Sequence, residues 1–157
     1  MPEAISFRAM QLHEVAAVSE MVLRTFHHYV APDYGDEGIQ TFSRFVQPDA
    51  LADRLSRGAL FLVAAAGQTI VGMIEMRSYN HVTLLFVDSA YQRRGISREL
   101  LRRALDICRQ HRPDVQQITV NSSPYAVDIY RKLGFEQSAP PQEQQGIIFV
   151  PMTLTIS

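Results

Sequence analysis

Gln92-Arg93-Arg94-Gly95-Ile96-Ser97 is the segment whose residue types and order point most directly to chemistry. It follows the apolar stretch Leu84 to Val87 and leads straight into residues of helical periodicity. A strand, a short loop and a helix start in that order make a ready anion site. The first helical turn presents unpaired backbone N–H groups and the positive end of the helix dipole. Gly95 allows a phosphate to approach the backbone closely. Arg93, Arg94, Arg98, Arg102 and Arg103 lie within eleven positions of one another. On charge alone such a run reads as a solvated helix face, with a local site for a small polyanion as the alternative. The segment lacks the Gly-Lys-Ser/Thr ending of a nucleotidase phosphate loop and the three glycines of a dinucleotide fingerprint.

Two further residues could move protons. Glu75 stands in an apolar, strand-like stretch, on one face with Val71 and Met73. A carboxylate in that setting is expected to have a raised pKa and to face a cleft as a general base. The alternative is a strand-end glutamate paired with Arg77 or another cation. His81 opens the strand that precedes the loop, and its ordinary pKa suits proton transfer, directly or through water. Its alternative is a surface or hydrogen-bonded histidine.

The elements that must hold these residues follow from periodicity. Ile5 to Arg8 alternates as a short strand, and Leu12, Val15, Val18, Val22 and Phe26 predict an amphipathic helix over residues 11–27. His27 to Gly38, rich in aromatics, Pro, Asp and Gly, reads as a loop. A second helical region carries Ile39, Phe42, Phe45 and Val46, is interrupted by Pro48, and continues through Leu51 and Leu55. Leu60 to Ala65, Ile70 to Arg77 and His81 to Val87 predict a three-strand meander with a turn at Gly67-Gln68. Ile96 to about His111 reads as a helix, Gln117 to Asn121 as a strand, Pro124 to Leu133 as a helix, and Ile147 to Ile156 as a final strand or strand pair. The order β-α-α-β-β-β-α-β-α-β implies a mixed sheet covered by helices, in the α/β (α+β) class.

Composition bounds the partners. The 157 residues are 46% hydrophobic and 20% charged with a net charge of −1, as expected of one soluble domain over residues 1–157. No apolar run approaches the ~20 residues that span a bilayer. The N-terminus lacks a secretory pattern, and Cys108 is the only cysteine, so the expected compartment is cytoplasmic. The near-neutral balance argues against nucleic acid. His13, His27, His28, His81 and His111 show no metal-ligand spacing, so no metal is expected. Cys108 falls on a helix stripe and reads as a core thiol.

Gln92 to Ser97 resembles the Gln/Arg-x-x-Gly-x-Gly/Ala motif of the GNAT superfamily of N-acetyltransferases, with Ser97 departing at the last position. A second segment, Ser123-Pro124-Tyr125-Ala126-Val127-Asp128-Ile129-Tyr130-Arg131-Lys132-Leu133-Gly134-Phe135, resembles the family's Asn-x-x-Ala-x-x-x-Tyr-x-x-x-Gly-Phe, with Ser123 in place of Asn. The resemblance implies the GNAT fold, a mostly antiparallel mixed sheet of about six or seven strands flanked by about four helices. It implies acetyl-CoA as acyl donor, its pyrophosphate on Gln92, Arg93, Arg94, Gly95, Ile96 and Ser97. Its pantetheine arm would pair with Leu85, Phe86 and Val87, with Ser123 and Tyr130 nearby. The same strand would supply an oxyanion-binding N–H, and Tyr130 matches the tyrosine that acts as general acid. A primary amine of a small molecule or peptide would attack the thioester directly, with Glu75 or His81 as candidate base.

The loop after the first helix commonly borders the acceptor pocket in that family. Tyr29, Tyr34 and Glu75 are therefore expected to contact the acceptor. His27, His28, Asp33, Asp36 and Glu37 form further candidate lining, whose acids would suit a cationic amine. The tail from Gln144 to Met152 is a candidate for that pocket or for a homodimer interface. The competing reading is a non-catalytic acyl-CoA-binding sensor or interaction module on the same fold. Nothing in the sequence selects the acceptor or guarantees that the acyl group is always acetyl.

Overall fold

The computed structural model describes residues 4–156. The alternating and near-continuous apolar stretches form strands β1 (Ile5–Ala9), β2 (Leu60–Ala66), β3 (Thr69–Arg77), β4 (His81–Val87), β5 (Gln117–Ser122), β6 (Glu136–Gln137), β7 (Gln142–Gln144) and β8 (Ile147–Thr155). The stretches of helical period form α1 (Val15–Tyr29), α2 (Asp36–Phe45), α3 (Pro48–Ser56), α4 (Ile96–His111) and α5 (Val127–Lys132). The strands pair in the order β1-β2-β3-β4-β5-β8-β6, with β7 also on β8. Every pairing is antiparallel except β4 with β5.

Both faces of the central strands are covered, which is why β2 and β3 are apolar almost without interruption. On one face, Val18, Met21 and Val22 of α1 and Leu51 of α3 pack on Phe61, Val63, Met73 and Leu84. On the other, Ile96, Leu100, Leu101, Ala104, Leu105 and Cys108 of α4 pack on Leu62, Ala64, Val71, Ile74 and Met76. Burial holds the Cys108 thiol up at about 11, in keeping with a core residue. Gly72 lies in the interior of β3 because α4 comes so close. A Cβ there would meet Ile96 Cγ2 at 3.1 Å and Leu100 Cδ1 at 3.3 Å.

Several boundaries differ from the periodicity reading. Pro48 divides the second helical region into two helices by occupying the first turn of α3, where its missing N–H is no loss. The short strands β6 and β7 are fully exposed and carry no apolar alternation to reveal them. Helix α1 runs to Tyr29, so His27 and His28 are helical and not in a loop. Helix α5 starts at Val127, and Ser123 instead caps the preceding turn, its Oγ accepting the Ala126 N–H at 3.2 Å. Val71 does not share a face with Met73 and Glu75. The β2–β3 register slips by one between Ala64 and Ala65, leaving Val71 as the extra residue, turned toward α4.

The feature that matters for function is where the sheet parts. Strands β4 and β5 pair only at His81↔Thr119 and Val82↔Val120. The β3–β4 register jumps from Met76↔Val82 to Glu75↔Leu84, so Thr83 is a bulged residue at that point. A bulge bends its strand and ends regular pairing. Beyond it, Leu84 to Val87 stay paired with β3 and have no strand partner toward β5. Among the described residues no helix is long and apolar enough to cross a membrane.

Candidate active site

The parting of β4 and β5 opens into a cavity of about 990 Å³. One end lies under the start of α4. Gly95 adopts a left-handed φ of 78° as the N-cap of that helix, and Arg93 also has a positive φ, 65°. The two reversals fold the loop tightly. The first intrahelical bond comes from the Glu99 N–H to the Gly95 carbonyl, so the N–H groups before it are left for a ligand. Gln92 reaches back to donate to the Val87 carbonyl at 3.2 Å, tying the loop to the end of β4. Gln92, Arg93, Gly95, Ile96, Ser97, Arg98 and Lys132 line this end, together with Leu85 to Val87 and Ser123.

The arginine run divides. Arg102 and Arg103 both bridge to Glu99 at 2.6 Å on the outer face of α4, as a solvated face would. Arg94 leaves the cavity lining and lies over the Tyr91 ring, 4.9 Å from its centroid. Arg93 and Arg98 remain at the cavity.

Tyr130 and His81 also line the cavity. Tyr130 is only 6% exposed, with its ring edge-on to Phe135 at 5.3 Å. Among the described residues no group hydrogen-bonds to its hydroxyl, so the alternative of a phenol tied to the backbone does not apply. Burial pushes its pKa well above the ordinary phenol range, and the proton stays on at neutral pH. His81 Nδ1 lies 2.7 Å from Thr119 Oγ1. Burial, reinforced by the Arg77 cation, pulls its pKa down to about 4, so the imidazole is neutral at physiological pH. At the bulge, Thr83 Oγ1 is buried without a partner and lines the same cavity.

Another part of the lining is aromatic. Phe26, Tyr34, Phe42 and Phe86 form a cluster in which Phe26 and Phe42 stack at 4.0 Å. Tyr29 at the end of α1 stacks on Tyr125 at 5.0 Å. Helix α2 is clasped to the β7–β8 turn. A Cβ on Gly38 would fall 2.2 Å from the Gly146 carbonyl oxygen, Thr41 Oγ1 donates to the Gln145 carbonyl at 2.9 Å, and the Tyr34 hydroxyl donates to the Ile148 carbonyl at 3.1 Å. Burial lifts the Tyr34 phenol to about 12. The clasp brings Gln144, Gln145, Ile147 and Phe149 into the cavity lining beside Tyr34.

Glu75 is a correction. It is 1% exposed, absent from the cavity lining, and gripped by Arg54 through Nε at 2.7 Å and Nη2 at 3.1 Å. Burial raises its pKa more than Arg54 lowers it. The raised value that marks a candidate base therefore belongs to a buried ion pair under α3, not to a group facing acceptor. Asp33, Asp36 and Glu37 are also outside the lining; Asp36 and Glu37 occupy the first turn of α2, where acids complement the helix dipole. No carboxylate lines the cavity among the described residues. Its charged lining consists of Arg44, Arg77, Arg93, Arg98 and Lys132, with His81 neutral. The sequence reading missed Arg44, Arg77, Thr83 and Lys132. The strand register brings in Arg77 and Thr83 and the α2 clasp brings in Arg44, and neither leaves a local motif.

The described residues hold no His, Cys, Asp and Glu cluster able to bind a metal ion. Residues 30–156 match the family described as Acetyltransferase (GNAT) domain. No curated protein matches the chain by sequence. Among solved structures, the chain is similar to a GCN5-related N-acetyltransferase from Rhodopseudomonas palustris, with TM-score 0.82, 20% identity and 99% of each chain covered. It is also similar to the PaiA N-acetyltransferase from Thermoplasma acidophilum in complex with coenzyme A, with TM-score 0.78, 19% identity and 98% and 99% covered. A third is yncA from Salmonella typhimurium with its cofactor acetyl-CoA, at TM-score 0.67, 20% identity and 98% and 95% covered. At these identities the likeness establishes the fold.

Proposed function

Since the chain belongs to the GNAT acetyltransferase family, we propose that this acetyl-CoA-dependent acyltransferase moves the acetyl group to a primary amine by direct attack on the thioester. The observation that carries the reading is the fork: unpaired β4 backbone runs from Thr83 to the amide-rich start of α4, with the unpartnered Tyr130 hydroxyl in the same cavity. The N–H groups at Gly95, Ile96 and Ser97 would hold the donor's pyrophosphate, aided by Arg93 and Arg98. The pantetheine arm would lie along Leu85 to Val87 as an added strand. A β4 N–H would then face the thioester oxygen as charge develops on it.

In the transfer, the neutral amine nitrogen bonds to the acetyl carbonyl carbon, the carbon–sulfur bond breaks, the nitrogen gives up one proton to solvent, and the thiolate takes a proton to leave as the CoA thiol. Tyr130 is suited to supply that proton. Its place in the cavity lining, with no hydrogen-bond partner for its hydroxyl among the described residues, supports this role.

The base needs a different account from the one the sequence invited. Glu75 is engaged by Arg54, and His81 at about 4 is too weak to take a proton from an alkylammonium. The cations around the acceptor end act instead on the amine's own equilibrium. Positive neighbours disfavour an ammonium, as Arg77 already does for His81. The amine would lose its proton to solvent before attack, and neutral His81 would orient it as a hydrogen-bond partner.

Incubation with acetyl-CoA and a panel of amines, with free thiol followed, tests the proposal. Amine-dependent thiol release together with an acetylated amine is the expected result. Acetyl-CoA binding without thiol release for any amine would favour a sensor instead.

A further inference from the structure

Given acetyl transfer as read above, the charges at the acceptor end narrow the class of amine. Most arginines of the described residues are tied to a carboxylate, as Arg8 is to Glu14 and Arg54 to Glu75. Arg44 and Arg77 are not: neither makes a side-chain hydrogen bond or salt bridge among the described residues, and both line the cavity. Contacts around Arg54 connect their neighbourhoods. Arg77 closes β3 opposite His81, on the face that carries Glu75. Arg44 adjoins Phe45, whose carbonyl receives Arg54 at 2.8 Å and whose ring lies 3.8 Å beneath the same guanidinium. The carboxylate whose charge Arg77 feels, Glu75, is already held by two nitrogens of Arg54.

A purely cationic acceptor would meet only like charge here. An acceptor with a carboxylate beside its amine would meet two guanidiniums whose planar forks match that group. The neighbouring wall, with Phe26, Phe42 and Phe149, suits an apolar side chain. We propose that the acceptor is an amino acid with an apolar side chain, its carboxylate held by Arg44 and Arg77 and its amine turned toward the fork. The products are the N-acetyl amino acid and the CoA thiol, with no other reactant consumed. The same pair of cations favours the neutral amine, so recognition and activation come from one feature.

The test compares kcat/KM, by thiol release from acetyl-CoA, for L-phenylalanine and L-leucine against phenylalaninamide, leucinamide and 2-phenylethylamine. The free amino acids should be preferred by about 10-fold or more, the scale of a charge-assisted hydrogen bond. Arg44→Gln and Arg77→Gln, both exposed positions that leave the core untouched, should each raise KM for the amino acid about 10-fold. They should erase the preference and leave KM for acetyl-CoA unchanged. Equal or better use of the amides or of 2-phenylethylamine would overturn the proposal while leaving acetyl transfer intact. A preference that survives both substitutions, or a rise confined to KM for acetyl-CoA, would overturn it as well. Failure of every amino acid while some other amine releases thiol would overturn the acceptor class alone. Failure of every amine tried would overturn the transfer reading with it.

Discussion

At the proposed donor end of the cavity the groups open to a ligand are mostly backbone: the amides that start α4, the left-handed Gly95, and the length of β4 without a partner toward β5. They come from one stretch of chain, residues 84–98, with only α5 and Ser123 added from elsewhere. The acceptor end is built the other way. Tyr29 comes from α1, Arg44 and Phe42 from α2, Arg77 from β3, and Gln145 and Phe149 from the β7–β8 hairpin. Its surface is side chains, and its shape depends on the Gly38–Gly146 contact between elements more than a hundred residues apart. Backbone recognition of a constant donor tolerates change in side chains. Side-chain recognition lets the acceptor vary while the donor site stays fixed.

Tyr130→Phe gives the largest effect on this comparison, because Tyr130 is the proposed general acid. Removing a general acid should lower kcat by about 10²- to 10⁴-fold. KM for acetyl-CoA should stay within about threefold, since backbone groups carry the donor. Single-turnover kinetics separate the two, and an unchanged kcat would remove Tyr130 from the proton path. Glu75→Gln comes next and tests which half Glu75 serves. Breaking its pair with Arg54 should cost about 3 kcal/mol or more of stability by denaturant unfolding, because it leaves a part-buried guanidinium without its counter-charge. The pH dependence of kcat in the remaining folded protein should not move; a lost limb would restore Glu75 as base.

Gly95→Ala probes the donor end alone. No heavy atom lies within 4 Å of the Cβ it would add, so the effect is purely the left-handed φ of 78°. About 1 kcal/mol of strain should weaken acetyl-CoA binding several-fold by calorimetry without changing acceptor preference. The smallest effect is on His81. Its imidazole should titrate by NMR near 4 instead of 6.5, and Arg77→Gln should raise that value while burial still holds it below 6.5. In the unfolded chain the ring binds its proton at 6.5, so His81 should cost stability as pH falls from about 6.5 to 4.

The residues of the proposed donor end stand out in the sequence because their pattern is local. Gly95 before an apolar-striped helix, and Tyr130 followed by Gly134-Phe135, are patterns within single segments. Most elements were legible for the same reason, since α4 and the β2–β4 meander each declare their period. What escaped depended on register and long-range contact. Val71 and Thr83 are bulged residues, and a one-residue slip changes which face a side chain takes. Glu75 looked like a base because burial raises its pKa, yet nothing local names Arg54, twenty-one positions earlier, as its partner. Asp36 and Glu37 looked like an acidic lining because α2 was read as starting later than it does.

The central claim is that the parted strands and the start of α4 form the acetyl-CoA site. A crystal structure with acetyl-CoA bound tests it most directly. The account predicts the pyrophosphate on the amides of residues 95–97, the pantetheine arm paired with Leu85 to Val87, and the thioester sulfur within hydrogen-bonding reach of the Tyr130 hydroxyl. Acetyl-CoA seated outside the fork, or a thioester directed away from Tyr130, would contradict it.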